Sequence, residues 1–236
     1  MTTRQLLGHL GGVRHYRGEP ESTQRYADQR ASLGRFARSP LLHEPGTRYR
    51  YTTYGFNLVA AAVEAVHERP FAEIVEAHIA APAGAASLQD DDQRRVIPHR
   101  AQGYVVRGGE LQNSQLMDSS YKLGGGGLCS SAVDLARFAG ALMDGALLRE
   151  ETLAVMWSSQ RTADGEETGY GMGFSVKQLE GELMVGHSGA QARVSTMMLM
   201  LPGKQVGVVV MCNLEQVKLA GVARRALRRV RDEVGK

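Results

Sequence analysis

The chain has 236 residues, 43% of them hydrophobic and 22% charged, with a formal net charge of +3. That is enough chain for a substantial core in one large domain or two small ones, and too little charge to point to nucleic acid. Two cysteines, Cys129 and Cys212, make no disulfide framework and read as buried apolar side chains, and no apolar run approaches membrane-spanning length.

In chain order, Arg4–His9 reads as a short helix ended by Gly11-Gly12. His9 and His15 read as loop and helix-end residues, because no His-Glu-x-x-His or Cys-x-x-Cys accompanies them, and no metal is expected. Residues 17–43 are polar and weakly helical over 24–37. Pro45-Gly46 is a turn dipeptide, and the aromatic and β-branched residues after it predict an extended approach to Tyr51. After Thr53 the spacing becomes helical, with Phe56, Val59, Val63 and Val66 on one face. A tyrosine at such a corner is either a catalytic phenol or a plain helix cap. A second helix, Phe71–Ala81, is bracketed by Pro70 and Pro82, and Asp90-Asp91-Asp92 with Arg94-Arg95 reads as a solvated loop without calcium-loop spacing.

Tyr104–Val106 and Glu110–Gln112, joined by Gly108-Gly109, predict a hairpin. Ser119-Ser120-Tyr121-Lys122 is literally Ser-x-x-Lys. Four glycines follow Leu123, each costing about 1 kcal/mol in a helix relative to alanine, so no helix is expected to continue there. Ser131-Ala132-Val133-Asp134 has capping-box character and opens a helix through Met143. From Tyr170 the period becomes two. Strands are predicted over Gly173–Gln178, Glu182–His187, Val194–Leu201 and Val206–Cys212, the last two joined by a type II turn at Pro202-Gly203. Val206–Met211 is apolar on both faces and belongs inside a covered sheet. Leu219–Val234 reads as an amphipathic helix over that sheet, with Leu219, Val222, Ala223, Ala226, Leu227 and Val230 inward.

Five stretches, in this order, resemble motifs of the serine β-lactamase and penicillin-binding-protein family (class C β-lactamase-related serine hydrolases). They are Gln5–Val13, Tyr51-Thr52-Thr53, Ser119–Gly127, Tyr170–Phe174 and His187-Ser188-Gly189. The wording is closest to the branch that includes the mitochondrial serine β-lactamase-like protein. The resemblance implies an α+β fold of β-lactamase/transpeptidase type. An antiparallel sheet flanked by helices over 166–236 would join a mainly helical part over 1–165 in one structural domain. It implies acyl transfer to a serine followed by hydrolysis, with no cofactor, on a small-molecule or peptide substrate. Tyr51 matches the catalytic tyrosine, and a phenol of ordinary pKa near ~10 needs a nearby cation to act as a base. His187-Ser188-Gly189 matches the Lys/His-Thr/Ser-Gly strand, and Ala190 would offer its N–H to the oxyanion.

Three departures bear on substrate. His187 stands where true β-lactamases carry lysine, Thr53 replaces an asparagine, and Arg193 lies where small residues are usual and is expected to narrow the cleft or bind an acidic group. With Ser188 and Gly189, Thr53 and Arg193 are the expected substrate-binding residues. The changes favour a peptidase or esterase over antibiotic degradation. The family's catalytic Ser-x-x-Lys and two sheet strands would precede residue 1, and the resemblance puts Ser119 and Lys122 on a loop outside the catalytic pair. The chain is therefore expected to be an N-terminally truncated form, lacking the first strands and the nucleophile helix, with low or no activity by itself. The rival reading is a non-catalytic binding or scaffold protein that retains the cleft. Val206–Met211 would then be an exposed apolar edge prone to self-association. As written, with no signal peptide at Met1–Gln5, the chain is expected to be cytoplasmic, whereas family members are often periplasmic or exported.

Overall fold

The computed structural model describes residues 1–17 and 23–234; residues 18–22 of the polar 17–43 stretch lie outside the described residues. Helix α1 (Thr3–Leu7) opens on a reciprocal capping box between Thr2 and Gln5. Helix α2 (Gln29–Ser32) is capped by Asp28, whose carboxylate accepts the Ala31 N–H at 2.6 Å. Helix α3 (Thr53–His67) is capped by Thr52, whose hydroxyl accepts the Gly55 N–H at 3.3 Å, and it ends at Glu68 in the left-handed conformation. Helix α4 (Phe71–Val75) runs on as a π turn over Glu76–Ala80, so the helix predicted to Ala81 is present in two forms.

Strand β1 (Gln89–Asp90) pairs with β4 (Leu128–Cys129), and β2 (Tyr104–Arg107) forms the predicted hairpin with β3 (Glu110–Asn113). Gly108 and Gly109 both take positive φ at its tip, as such a two-residue loop requires. Between β3 and β4 the expectation fails. A one-turn helix, α5 (Leu123–Gly126), does form through the glycine run, after a 3-10 turn at Ser120–Lys122. The glycines are there for proximity. A Cβ on Gly124 would lie 2.6 Å from the Ala60 Cβ, and one on Gly125 would lie 2.2 Å from the Thr53 Cγ2. Helices α3 and α5 thus touch through bare backbone, and this close packing outweighs the poor helix propensity of glycine.

Helix α6 (Ala132–Met143) is capped by Ser131, and α7 (Glu150–Met156) follows. The sheet is a meander of β5 (Ser175–Leu179), β6 (Glu182–Gln191), β7 (Val194–Leu201) and β8 (Val206–Cys212), antiparallel throughout in that order. Glu180 and Gly181 both have positive φ in the β5–β6 turn. The turn at Pro202-Gly203 is not type II. Pro202–Lys204 make a 3-10 turn, and Gln205 rather than Gly203 takes the positive φ.

Two layers cover the sheet. Ala139, Leu142, Leu153 and Trp157, from α6 and the α7 end, pack with Val185, Met198 and Met200 on one face. Helix α8 (Ala220–Val234) sets Ala223 and Leu227 against Met184, Leu199, Leu201 and Val206 on the other. Each large side chain so buried contributes about 1.5–3 kcal/mol. Two residues on expected apolar faces are exposed instead: Val222 is 47% exposed, and Val66 is 81% exposed, because the buried residues of α3 are Thr53, Tyr54, Gly55, Asn57, Ala60 and Ala61, a stripe that runs on the side opposite Val66. Both cysteines are free and only half-buried, and burial pushes the Cys129 thiol up to about 11. No helix among the described residues is long and apolar enough to cross a membrane.

Candidate active site

The cleft is built where the start of α3 meets the far end of β6. Tyr51 precedes the N-cap of α3. Its ring lies against the His9 ring (4.2 Å between centroids), and its hydroxyl reaches His187 Nε2 at 3.5 Å, a long contact. Tyr170 closes the group, with its ring 4.7 Å from His9 and 6.3 Å from His187. Among the described residues the Tyr51 hydroxyl has no other hydrogen-bond partner.

The electrostatics of this group are those of a neutral aromatic box. Burial lowers the pKa of His187, with a backbone hydrogen bond at Ser188 opposing it, so the imidazole is neutral at pH 7. Burial lowers His9 to about 3, helped by the nearby His187 and His15. Desolvation raises the Tyr51 phenol above its ordinary value. The cation a phenol needs to act as a base is not supplied here by either histidine. Tyr51 is therefore protonated at neutral pH, placed to donate rather than accept a proton.

Strand β6 outruns its neighbour. Its pairing with β5 ends at Ser175–Gly186, whereas its pairing with β7 continues to Gln191–Val194. Residues 187–191 thus have no strand on the β5 side among the described residues. The Val176 N–H turns away from β6 to the Gly169 carbonyl. The residues that exchange hydrogen bonds across β5 and β6 are then Ser175–Gly186 and Lys177–Met184. By the same alternation Ser188 and Ala190 direct their N–H and C=O groups to the open side. Both residues are exposed. Beyond Ala190 lies a polar hollow of about 320 Å3, lined by Arg107, Gln115, Gln191, Glu215 and Gln216.

The other expected site residues sit differently. His187 and Ser188 fall on opposite faces of β6, so the Ser188 hydroxyl does not join Tyr51. Thr53 is 8% exposed with its methyl directed at Gly125, so packing against α5 occupies the side chain that was expected to meet substrate. Arg193 has φ +81, donates its N–H to Glu215 Oε1 at 3.1 Å, and lies over Gly103. Arg100 and Asp91 are the charged groups beside its guanidinium, so Arg193 does not narrow the cleft at Tyr51. Ser119 is 1% exposed and donates to the Asp91 and Gly127 carbonyls, while the buried Lys122 Nζ lies 3.2 Å from Met117 Sδ. The literal Ser-x-x-Lys is structural.

Sequence reading missed two features. His9 and His15 accept the Thr52 and Thr53 N–H groups at Nδ1, at 3.2 and 3.1 Å, and so satisfy amides at the start of α3. Tyr170 completes the box from a segment 119 positions after Tyr51 in the chain, and only the resemblance of Tyr170–Phe174 hinted at it. Among the described residues no group of three or more His, Cys, Asp or Glu is arranged to hold a metal ion.

The sequence profile of the family described as Beta-lactamase matches residues 1–232. The chain belongs to the β-lactamase family. It is 26% identical over 246 residues to the serine β-lactamase-like protein LACTB, mitochondrial, of Mus musculus, covering 87% of this chain and 44% of that protein. It is 27% identical over 180 residues to a D-aminopeptidase of Brucella canis, covering 72% of this chain and 33% of the relative. The chain thus spans less than half the length of these relatives. The octameric penicillin-binding protein homologue of Pyrococcus abyssi superposes with a TM-score of 0.82 at 23% identity, over 98% of this chain and 55% of that one. The fold is the α+β fold of β-lactamases and penicillin-binding proteins, and the family is one of serine hydrolases.

Proposed function

We propose that this chain carries the proton-transfer and oxyanion half of a serine-hydrolase site that acts on small amides, esters or short peptides. The observation that carries the reading is the Tyr51 hydroxyl facing His187 at the root of the β6 overhang, whose open side leads to the Ala190 N–H. Tyr51 gives a proton to the leaving group, and Ala190 donates to the oxyanion. A neutral His187 is a poor partner for a drug carboxylate, which favours peptidase or esterase chemistry over antibiotic degradation. The naming of a relative as a D-aminopeptidase supports the same substrate class. Substrate contacts come from Gly189 and the Ser188 backbone, not from Thr53 or Arg193.

The 236 residues by themselves are expected to turn over an activated ester at or near the background rate. Intact mass after fluorophosphonate treatment should show no adduct, because Ser119 is buried and committed to two carbonyls. An adduct mapped to Ser119 would overturn that assignment. An amino-acid amide should shift the NMR signals of the Ala190 amide and the Tyr51 ring. Silence at both would remove the cleft reading.

Self-association belongs to the same proposal. Strand β8 is the sheet edge, its faces covered by α6 and α8, and residues 206–212 make no backbone hydrogen bond beyond β7 among the described residues. Such an apolar open edge is a template for another strand. Light scattering should show a mass above 25.6 kDa that falls on dilution, with amide exchange in 206–212 speeding up in parallel. A monomer at all concentrations would reject the association.

A further inference from the structure

His9 is 1% exposed, in contact with four aromatic rings, and absent from the chemistry above. Its surroundings converge on one neighbour. The His9 carbonyl accepts the Arg50 N–H at 2.9 Å, its imidazole Nδ1 accepts the Thr52 N–H at 3.2 Å, and its ring packs at a 47° tilt, 4.2 Å between centroids, on the ring between them, that of Tyr51. One residue therefore holds the positions before, at and after Tyr51. The backbone of His9 sits at φ +58, a left-handed conformation, and its carbonyl and side chain both meet the segment Arg50–Thr52.

We propose that His9 is the positioning residue of Tyr51, acting as a neutral imidazole protonated on Nε2 that clamps both flanks of the tyrosine and backs its ring. The tautomer follows from hydrogen-bond chemistry. A nitrogen that accepts an amide N–H carries no proton, so in the neutral ring the proton is on Nε2. Nε2 is itself buried without a hydrogen-bond partner. An unpaired buried donor costs stability, set against the acceptor that Nδ1 gives the buried Thr52 amide. Here the cost is kept, and what it secures is the direction of the phenol. The ionisable groups that face His9 are His15, His187, Tyr49, Tyr51 and Tyr170; burial lowers the pKa of His187 and raises those of the three tyrosines, which keeps these four uncharged at neutral pH. His15 does the parallel task one residue on, at Thr53, without touching the Thr52 amide.

The proposal rests on reading Tyr51 as the working phenol, but its test reads geometry and not turnover. A failure to find hydrolysis therefore leaves this result standing on its own. The first measurement is the NMR tautomer of His9 in the unmodified chain: Nε2–H, unchanged from about pH 5 to about pH 8. A proton on Nδ1, or titration near the ordinary histidine value, overturns the proposal. Two variants then separate clamp from packing. His9→Asn keeps an acceptor near the place of Nδ1 and tolerates the left-handed backbone, whereas His9→Gly tolerates the backbone and has no acceptor. Thr52 amide exchange should quicken about tenfold in His9→Gly and stay near wild type in His9→Asn. The phenolic carbon of Tyr51 should change its titration in His9→Gly and keep it in His9→Asn. Wild-type behaviour of His9→Gly in both readouts overturns the proposal. If His9→Gly does not fold, the wild-type tautomer and the His9→Asn rescue decide.

Discussion

Gly125→Ala should destabilise the chain by about 3 kcal/mol or more, at the upper end for an overpacked contact. The added Cβ would lie 2.2 Å from Thr53 Cγ2, 2.6 Å from Asn57 Oδ1 and 3.0 Å from the Thr53 carbonyl oxygen. None of these is the loose end of a flexible side chain. Thr53 begins α3, and Asn57 is fully buried, donating to the Tyr121 carbonyl at 2.9 Å. Alanine's better helix propensity returns only about 1 kcal/mol. For a chain of this size the melting temperature should fall by roughly 6–12 °C. Gly140→Ala is the control. Gly140 lies inside α6 with nothing within 4 Å of its virtual Cβ, so the same exchange should raise stability by up to about 1 kcal/mol. Paired thermal melts of the two variants read the sign directly. A Gly125→Ala protein as stable as wild type would mean that α3 and α5 do not touch as described.

The second large effect is a loss of stability in mild acid. In the unfolded chain His9 and His187 titrate near the ordinary ~6.5. In the fold, burial lowers His9 to about 3 and also lowers His187. Between those values the unfolded state binds protons that the folded state refuses. Stability is therefore full above about pH 6.5 and falls as the pH drops toward 3. The carboxylates act lower down. Arg25 holds Asp92 below its usual range and Arg231 does so for Glu180, and their contribution disappears only as they protonate, below about pH 4. Urea melts from about pH 7.5 down to about pH 5 isolate the histidines from the carboxylates. Wild type should lose stability steadily across that range, and His9→Asn should lose clearly less. Equal slopes would show that His9 is protonated in the fold after all.

Much of the sheet was legible because its signals are local. Alternation located all four strands, and Ser131 announced α6. The motif order also pointed to the meeting of Tyr51 and His187, 136 residues apart. What escaped the reading depends on partners distant in sequence. The glycines of α5 look like helix breakers until α3 lies against them. Val66 and Val222 keep helical spacing, yet which side of a helix is covered is set by the neighbouring elements, and α3 buries the side of Tyr54, Asn57, Ala60 and Ala61. Arg193 reads as a cleft residue by position, yet its left-handed backbone and Gly103 send it elsewhere. His9 and His15 looked idle because their work, accepting amides of another segment, leaves no spacing in the sequence.

The overhang of β6 has a consequence of scale. Five residues of strand measure about 17 Å, and along that length every second residue offers one N–H and one C=O to whatever lies beside it. An extended ligand laid there is gauged by its own main chain, as a key is gauged by its length before its teeth. Side chains pointing off the two faces of such a ligand go largely unread. On the function proposed above, discrimination would fall to the two ends, an uncharged aromatic wall at Tyr51 and His187 and a hydrophilic hollow lined in part by Arg107.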